Sequence, residues 1–282
     1  MKSVVPLRNK YAAFLIQYLP GTGRDLPLVS PHARRLQSQA QTASLGAEGL
    51  AEAYTTDPFL AAKLCGVANS IFFNLDHYQI TSISEALGRV GSDYAQKLLA
   101  SAAPPAPAVS REDTLEYWAH CVTVAAVARR LAVIPKSHLA AEETLHLLGL
   151  IHDVGFLVAV SYNPRFMPRV AEAVRAAEPE EPDGPNSHAA LGASLSAFWS
   201  LPSLFQDALR GHHDTRRCKT PEGKRLAAVL RLADGAAAGS SFDEPDDRRA
   251  MGLLRISKEE LASLVPFASR FHREMVTAEL AR

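Results

Sequence analysis

The sequence predicts an all-α protein made of two packed helical halves. Across its 282 residues, apolar side chains recur at intervals of three and four, the period of one helix face. Runs of alternating β-branched residues, the mark of strands, are scarce. Only one internal stretch forbids a helix outright. Ser101 to Val109 carries Pro104, Pro105 and Pro107, whose rings remove backbone donors and clash with the preceding turn. Residues 104–109 therefore read as a stiff connector between the halves.

In chain order, Met1 to Leu19 places Lys2, Arg8 and Lys10 before a short apolar run, Tyr11 to Leu19, interrupted by Gln17. With no small-residue cleavage pattern behind it, this is a short amphipathic helix and not a signal peptide. The turn Pro20-Gly21-Thr22-Gly23 completes an N-terminal segment over 1–25. A polar helix follows around Ala33 to Thr42, then one at Leu50 to Tyr54. In Asp57-Pro58, the carboxylate can cap free amides and proline at the first helical position loses no bond. That helix carries Leu60, Leu64 and Val67 on one face and ends near Asn69-Ser70. Ser82 and Glu85 have capping-box spacing. Ile83, Ala86, Leu87 and Val90 point inward before Gly91 stops the helix.

Beyond the connector, Ser110 to Asp113 forms a capped, acidic start to a helix through Trp118, His120, Val124, Val127 and Leu131. Ala140 to Ile151 is a further apolar helix, and Asn163-Pro164 leads into one over Phe166 to Ala177. Glu178 to Ser187, rich in proline and acids, reads as an exposed loop with a solvated charge run. His188 opens a helix in which Gly192 and Ala193 allow close approach. Trp199-Ser200-Leu201-Pro202 restarts the chain, and a helix over Ser203 to Arg210 ends in Gly211-His212-His213. Leu226 to Ala233 is apolar helix leading to Asp234. A Ser257 to Glu260 capping box begins the helix of a C-terminal extension over 236–282.

Composition narrows the function. Thirty basic and thirty acidic residues cancel, leaving no electrostatic footprint for nucleic acid or an anionic membrane. No stretch is long enough to span a bilayer. Cys65, Cys121 and Cys218 are few and odd in number, which suits a reducing cytoplasm better than a disulfide framework.

The chemistry lies in Gly149-Leu150-Ile151-His152-Asp153-Val154-Gly155, an apolar helical run ending in adjacent histidine and aspartate. Such a doublet can hold one divalent ion while its carboxylate reaches a second. Taken singly, each companion has a plain alternative. His120 fits a hydrogen-bonded core histidine, His188 a residue near a helix cap, and Asp234 a helix-end carboxylate. The consecutive His212 and His213 point about 100° apart, suiting two ions, or one ion and its substrate, better than a single ion. Together the positions give five histidines and two aspartates, a nitrogen and oxygen mixture suited to Fe, Mn or Zn.

The order His120, His152-Asp153, His188, His212-His213, Asp234 resembles the HD superfamily of metal-dependent phosphohydrolases. Asp57-Pro58, Asn69-Ser70, Ile80 to Leu87 with Gly91, Gly149 to Gly155, Trp199 to Pro202 and His212-His213 narrow the resemblance to HDOD, the HD-related output domain of bacterial signalling proteins. It extends over about residues 26–235, with 26–103 as the first half and 110–235 as an HD-like half containing the metal-site core. The resemblance implies a role in signal transduction with protein partners, and a site for one or two divalent transition-metal ions, Fe or Mn ahead of Zn. Its ligands would be His120, His152, Asp153, His188, His212, His213 and Asp234.

Two departures bear on activity. Active cyclic-dinucleotide phosphodiesterases of the superfamily carry lysine after the HD-x-G motif, where this chain has Phe156, and a Gly-Tyr-Pro motif that Asp214-Thr215-Arg216-Arg217 replaces. Losing a phosphate-facing cation argues against efficient phosphoester cleavage. Two readings follow. One is an interaction module whose metal site is structural or ligand-sensing. The other is a phosphohydrolase acting on a nucleotide or cyclic dinucleotide, with Asp153 as the catalytic carboxylate. The missing motifs favour the first, and the intact ligand set favours the second.

Overall fold

Short polar caps followed by proline set where several helices begin. The computed structural model describes residues 30–76, 78–102, 111–134, 140–156 and 188–281, and every regular element among them is helical. Ser30 caps α1 (Pro31–Ala40), accepting from the Ala33 amide. After α2 (Ala47–Thr56), Asp57 caps α3 (Pro58–Ala68) through the Phe59 and Leu60 amides. Its second carboxylate oxygen accepts from the Ser30 amide at 2.8 Å, so one buried side chain ties two helix starts together. Asn69 ends α3 and pins the following loop, bonding Cys65 O, Ile80 O and the Ile80 amide.

Ser82 caps α4 (Ile83–Val90) as expected, but Glu85 completes only half of the box. Its carboxylate accepts from the Thr81 amide, one residue earlier than the cap. Gly91 ends α4 with φ +82°, a conformation that disfavours side chains. The chain then enters α5 (Ser92–Ala100) directly, a helix that periodicity did not reveal. In this first group α1 packs on α2 and α5, and α3 packs on α2 and α4.

The second group is built on α6 (Arg111–Ala132), which buries Trp118, His120, Val124, Val127 and Leu131. Around it come α7 (Glu142–Leu150), α8 (His188–Phe198), α9 (Ser203–Gly211), a 3-10 turn (Thr215–Arg217) and α10 (Pro221–Ala237). The extension supplies α11 (Pro245–Leu254), α12 (Lys258–Ala262) and α13 (Leu264–Leu280), with the expected Ser257 and Glu260 box complete. α6 packs against α7, α10 and α13.

One apolar core runs through both groups. The join is polar as well. Trp118 Nε1 donates to Thr56 O at 2.7 Å, and His146 Nε2 lies 3.0 Å from Thr55 O. Both carbonyls belong to the last turn of α2, which has no intrahelical donors left for them. Trp199 packs edge-on against Phe59, with its carbonyl over Gly66, where any Cβ would lie 2.4 Å away. From the other end of the chain, Glu279 of α13 takes a bidentate pair from Arg35 of α1 at 2.6 and 2.7 Å.

The expected N-terminal helix and turn, the Pro104 to Pro107 break, the Ser110 cap, the Phe166 to Ala177 helix and the Glu178 to Ser187 loop lie outside the described residues or side chains. No described helix is long and apolar enough to cross a membrane.

Candidate metal centre

The α7 helix stops at Leu150, and the next three residues turn, so His152 and Asp153 project off its end. His152 is fully buried and its Nδ1 bonds Gly149 O at 2.8 Å. His212, just beyond α9, repeats the device, with Nδ1 2.7 Å from Leu209 O. A carbonyl can only accept, so both rings carry their proton on Nδ1. That turns the Nε2 lone pair inward, the usual arrangement of a ligating imidazole.

Asp153 stands at the middle. Its Oδ1 is 3.3 Å from His188 Nε2 and 3.5 Å from His212 Nε2. Its Oδ2 is 3.3 Å from His152 Nε2 and 4.0 Å from His120 Nε2. Two overlapping ligand groups result: His120, His152 and Asp153 on one side, and Asp153, His188, His212 and His213 on the other. Within each, the potential ligand atoms lie within 4.8 Å of one another. Asp234 falls outside both groups and approaches from within α10, with Oδ1 3.3 Å from His120 Nε2.

The paired histidines do not diverge as a continued helix would require. α9 ends at Gly211, so His212 and His213 follow a bend. Their ring centroids are 3.9 Å apart, and both join the same group. His213 Nε2 lies 2.7 Å from His188 Nε2, a contact that needs a proton or a cation between two lone pairs.

Two glycines of the central motif make the site possible. A Cβ on Gly149 would sit 2.8 Å from Ala125 Cα, and one on Gly155 would sit 2.1 Å from His188 O and 2.3 Å from Gly192 N. The backbone carrying Asp153 therefore touches the start of α8 directly. Tyr117, one turn before His120, donates to Asp153 O at 2.8 Å and lies against the Phe156 ring. Phe156 in turn faces His188 edge-on, with centroids 6.3 Å apart.

Burial opposes charge on the His188 ring and pushes it down to about 4. Burial and the neighbouring imidazoles likewise hold His213 well below the ordinary histidine range. Burial also opposes charge on His152, but the adjacent Asp153 carboxylate outweighs it and raises the ring to about 9. Asp153 stays well below the usual carboxylate range despite its burial, because of His152 and His188. The site thus sets neutral His188 and His213 around an ionised carboxylate, while His152 holds a proton that an ion bound at its Nε2 would displace.

His152 Nε2 and Asp153 Oδ1 are buried with no hydrogen-bond partner. Leaving two such atoms unsatisfied costs about 1–3 kcal/mol each, a cost that cations in the two ligand groups would remove. Geometry and donor chemistry both fit a divalent transition metal. Sequence reasoning missed Tyr117 and Arg231. The latter donates to His213 O at 2.8 Å from a position in α10 that looks like ordinary surface charge.

The HDOD domain family model matches residues 26–215. The chain belongs to the HDOD family. None of the curated proteins matches its sequence. Among solved structures, the MmoQ response regulator of Methylococcus capsulatus aligns with this HDOD chain at a TM-score of 0.62 and 23% identity, covering 86% of this chain and 98% of that one. A Campylobacter jejuni virulence factor aligns at 0.63 with 15% identity, covering 93% and 98%. These likenesses are of fold.

Proposed function

We propose that this HDOD protein is a signal-transduction output module. Its helices engage a signalling protein partner, and its buried histidine and aspartate cluster holds one or two divalent transition-metal ions in a structural or ligand-sensing role. His120, His152, Asp153, His188, His212, His213 and Asp234 would hold the ions, Fe or Mn ahead of Zn, Asp234 approaching the same His120 Nε2 that faces Asp153. A bound ion would supply Lewis acidity toward an oxygen ligand such as a nucleotide phosphate. Three buried free cysteines suit a cytoplasmic setting. MmoQ is a response regulator by name, which agrees with the signalling role.

The observation that carries the non-enzymatic reading is Phe156. Its buried ring stands edge-on to His188, at the sequence position where the phosphodiesterases that the chain resembles carry a lysine for the phosphate. The second reading, a phosphohydrolase using Asp153, draws support from the intact ligand set. Asp153→Ala separates them. In the proposed role, the variant loses the metal that elemental analysis finds in wild type and melts at a lower temperature, because bound metal stabilises the fold by mass action. Neither protein turns over a phosphoester. Turnover of a nucleotide or cyclic dinucleotide by wild type above about 1 per second, absent in Asp153→Ala, would establish the second reading instead.

A further inference from the structure

We propose that Arg231 and Asp247 are positioning residues for the metal centre, and that through them the segment beyond the family-matched region sets the geometry of the ligand group containing His213. The proposal rests on the metal-binding role given above. Unlike His152 and His212, His213 has no hydrogen bond to Nδ1 among the described residues. Its position is set through its backbone instead, where Arg231 Nη1 donates to its carbonyl at 2.8 Å. The same guanidinium donates through Nε to Asp247 Oδ1 at 2.7 Å. Asp247 is 4% exposed and lies in the first turn of α11, beyond residue 215 where the family match ends.

A guanidinium is a rigid planar fork, so fixing one nitrogen against a buried carboxylate aims the others. Here the aim is at the bend that follows α9, where His213 approaches within 2.7 Å of His188. The chain of contacts runs from Asp247 to Arg231, to the His213 carbonyl and so to the ligand nitrogen. The other ligand group, His120, His152 and Asp153, makes no use of His213. Loosening the fork therefore affects one half of the centre and spares the other.

The test is cobalt(II) titration of the chelator-stripped full chain, followed by its visible absorption bands and by competition with a chelator of known affinity. His213→Ala and His120→Ala mark which class of binding belongs to which group. Asp247→Asn and Arg231→Lys are expected to weaken the class that responds to His213→Ala by roughly 10–100-fold, the usual effect of removing an outer partner of a ligand, and to change its band shape. The class that responds to His120→Ala keeps its affinity. Asp247→Glu, retaining the carboxylate, restores much of the lost binding. Unchanged affinity in Asp247→Asn and Arg231→Lys, or equal loss in both classes, overturns the proposal while leaving the metal centre intact. Wild type that takes up no cobalt overturns the metal centre itself.

Discussion

Asp207 is buried in α9, and its carboxylate holds a turn. It accepts from the Lys219 amide, the Thr220 amide and the Thr220 hydroxyl at 2.8 to 2.9 Å, fixing the entry to α10. Burial opposes its ionisation, but these donors prevail and hold it below the usual aspartate range. A carboxyl depressed by folding stabilises the native state above its unfolded value, about 3.9, and that stability disappears as pH falls through the lower folded value. Asp207→Asn presents an amide donor to donors. It should cost about 1–3 kcal/mol at pH 7 and reduce the loss of stability between pH 5 and 2, measured by urea denaturation across that range. Equal acid sensitivity in both proteins would remove Asp207 from the account. Residues like this were illegible in the sequence. His152 and Asp153 announced themselves by residue type at the end of an apolar helix, whereas Asp207, Tyr117 and Arg231 act through backbone groups that leave no pattern.

At the scale of elements, the contact between the Asp153 turn and α8 has no room for a side chain. Gly155→Ala should push α8 away, displace His188 and destabilise the fold by at least about 1–3 kcal/mol. A thermal melt and elemental analysis check this, and a variant with wild-type melting and metal content would refute it. Periodicity made α3, α4 and α6 visible because their inward faces are apolar. It missed α5, a short helix whose Asp93, Gln96 and Lys97 outweigh its few apolar positions. It also missed α11, where an acid, Asp247, takes an inward position to meet Arg231. The divergence expected of His212 and His213 failed for a related reason, since helical angles end where the helix does.

Across the whole molecule, the two helical groups share one core and meet at the last turn of α2. Trp118→Phe keeps most of the ring but leaves the Thr56 carbonyl without its donor. A loss of about 1–3 kcal/mol is expected, with unfolding by denaturant remaining a single transition. Two separated transitions in wild type would mean that the groups unfold independently.

His120 and Asp234 meet at 3.3 Å although the rest of the second group lies between them in the chain. Closing so long a loop costs entropy, and contacts of this kind are expected late on the folding path. On that order of events the helical framework forms without help from the cluster. A bound ion would leave the speed of folding alone and lengthen the lifetime of the folded state, because interactions absent from the transition state act on the unfolding step. The proposed ion would then be a latch set after assembly, and its hold a matter of time as much as of equilibrium.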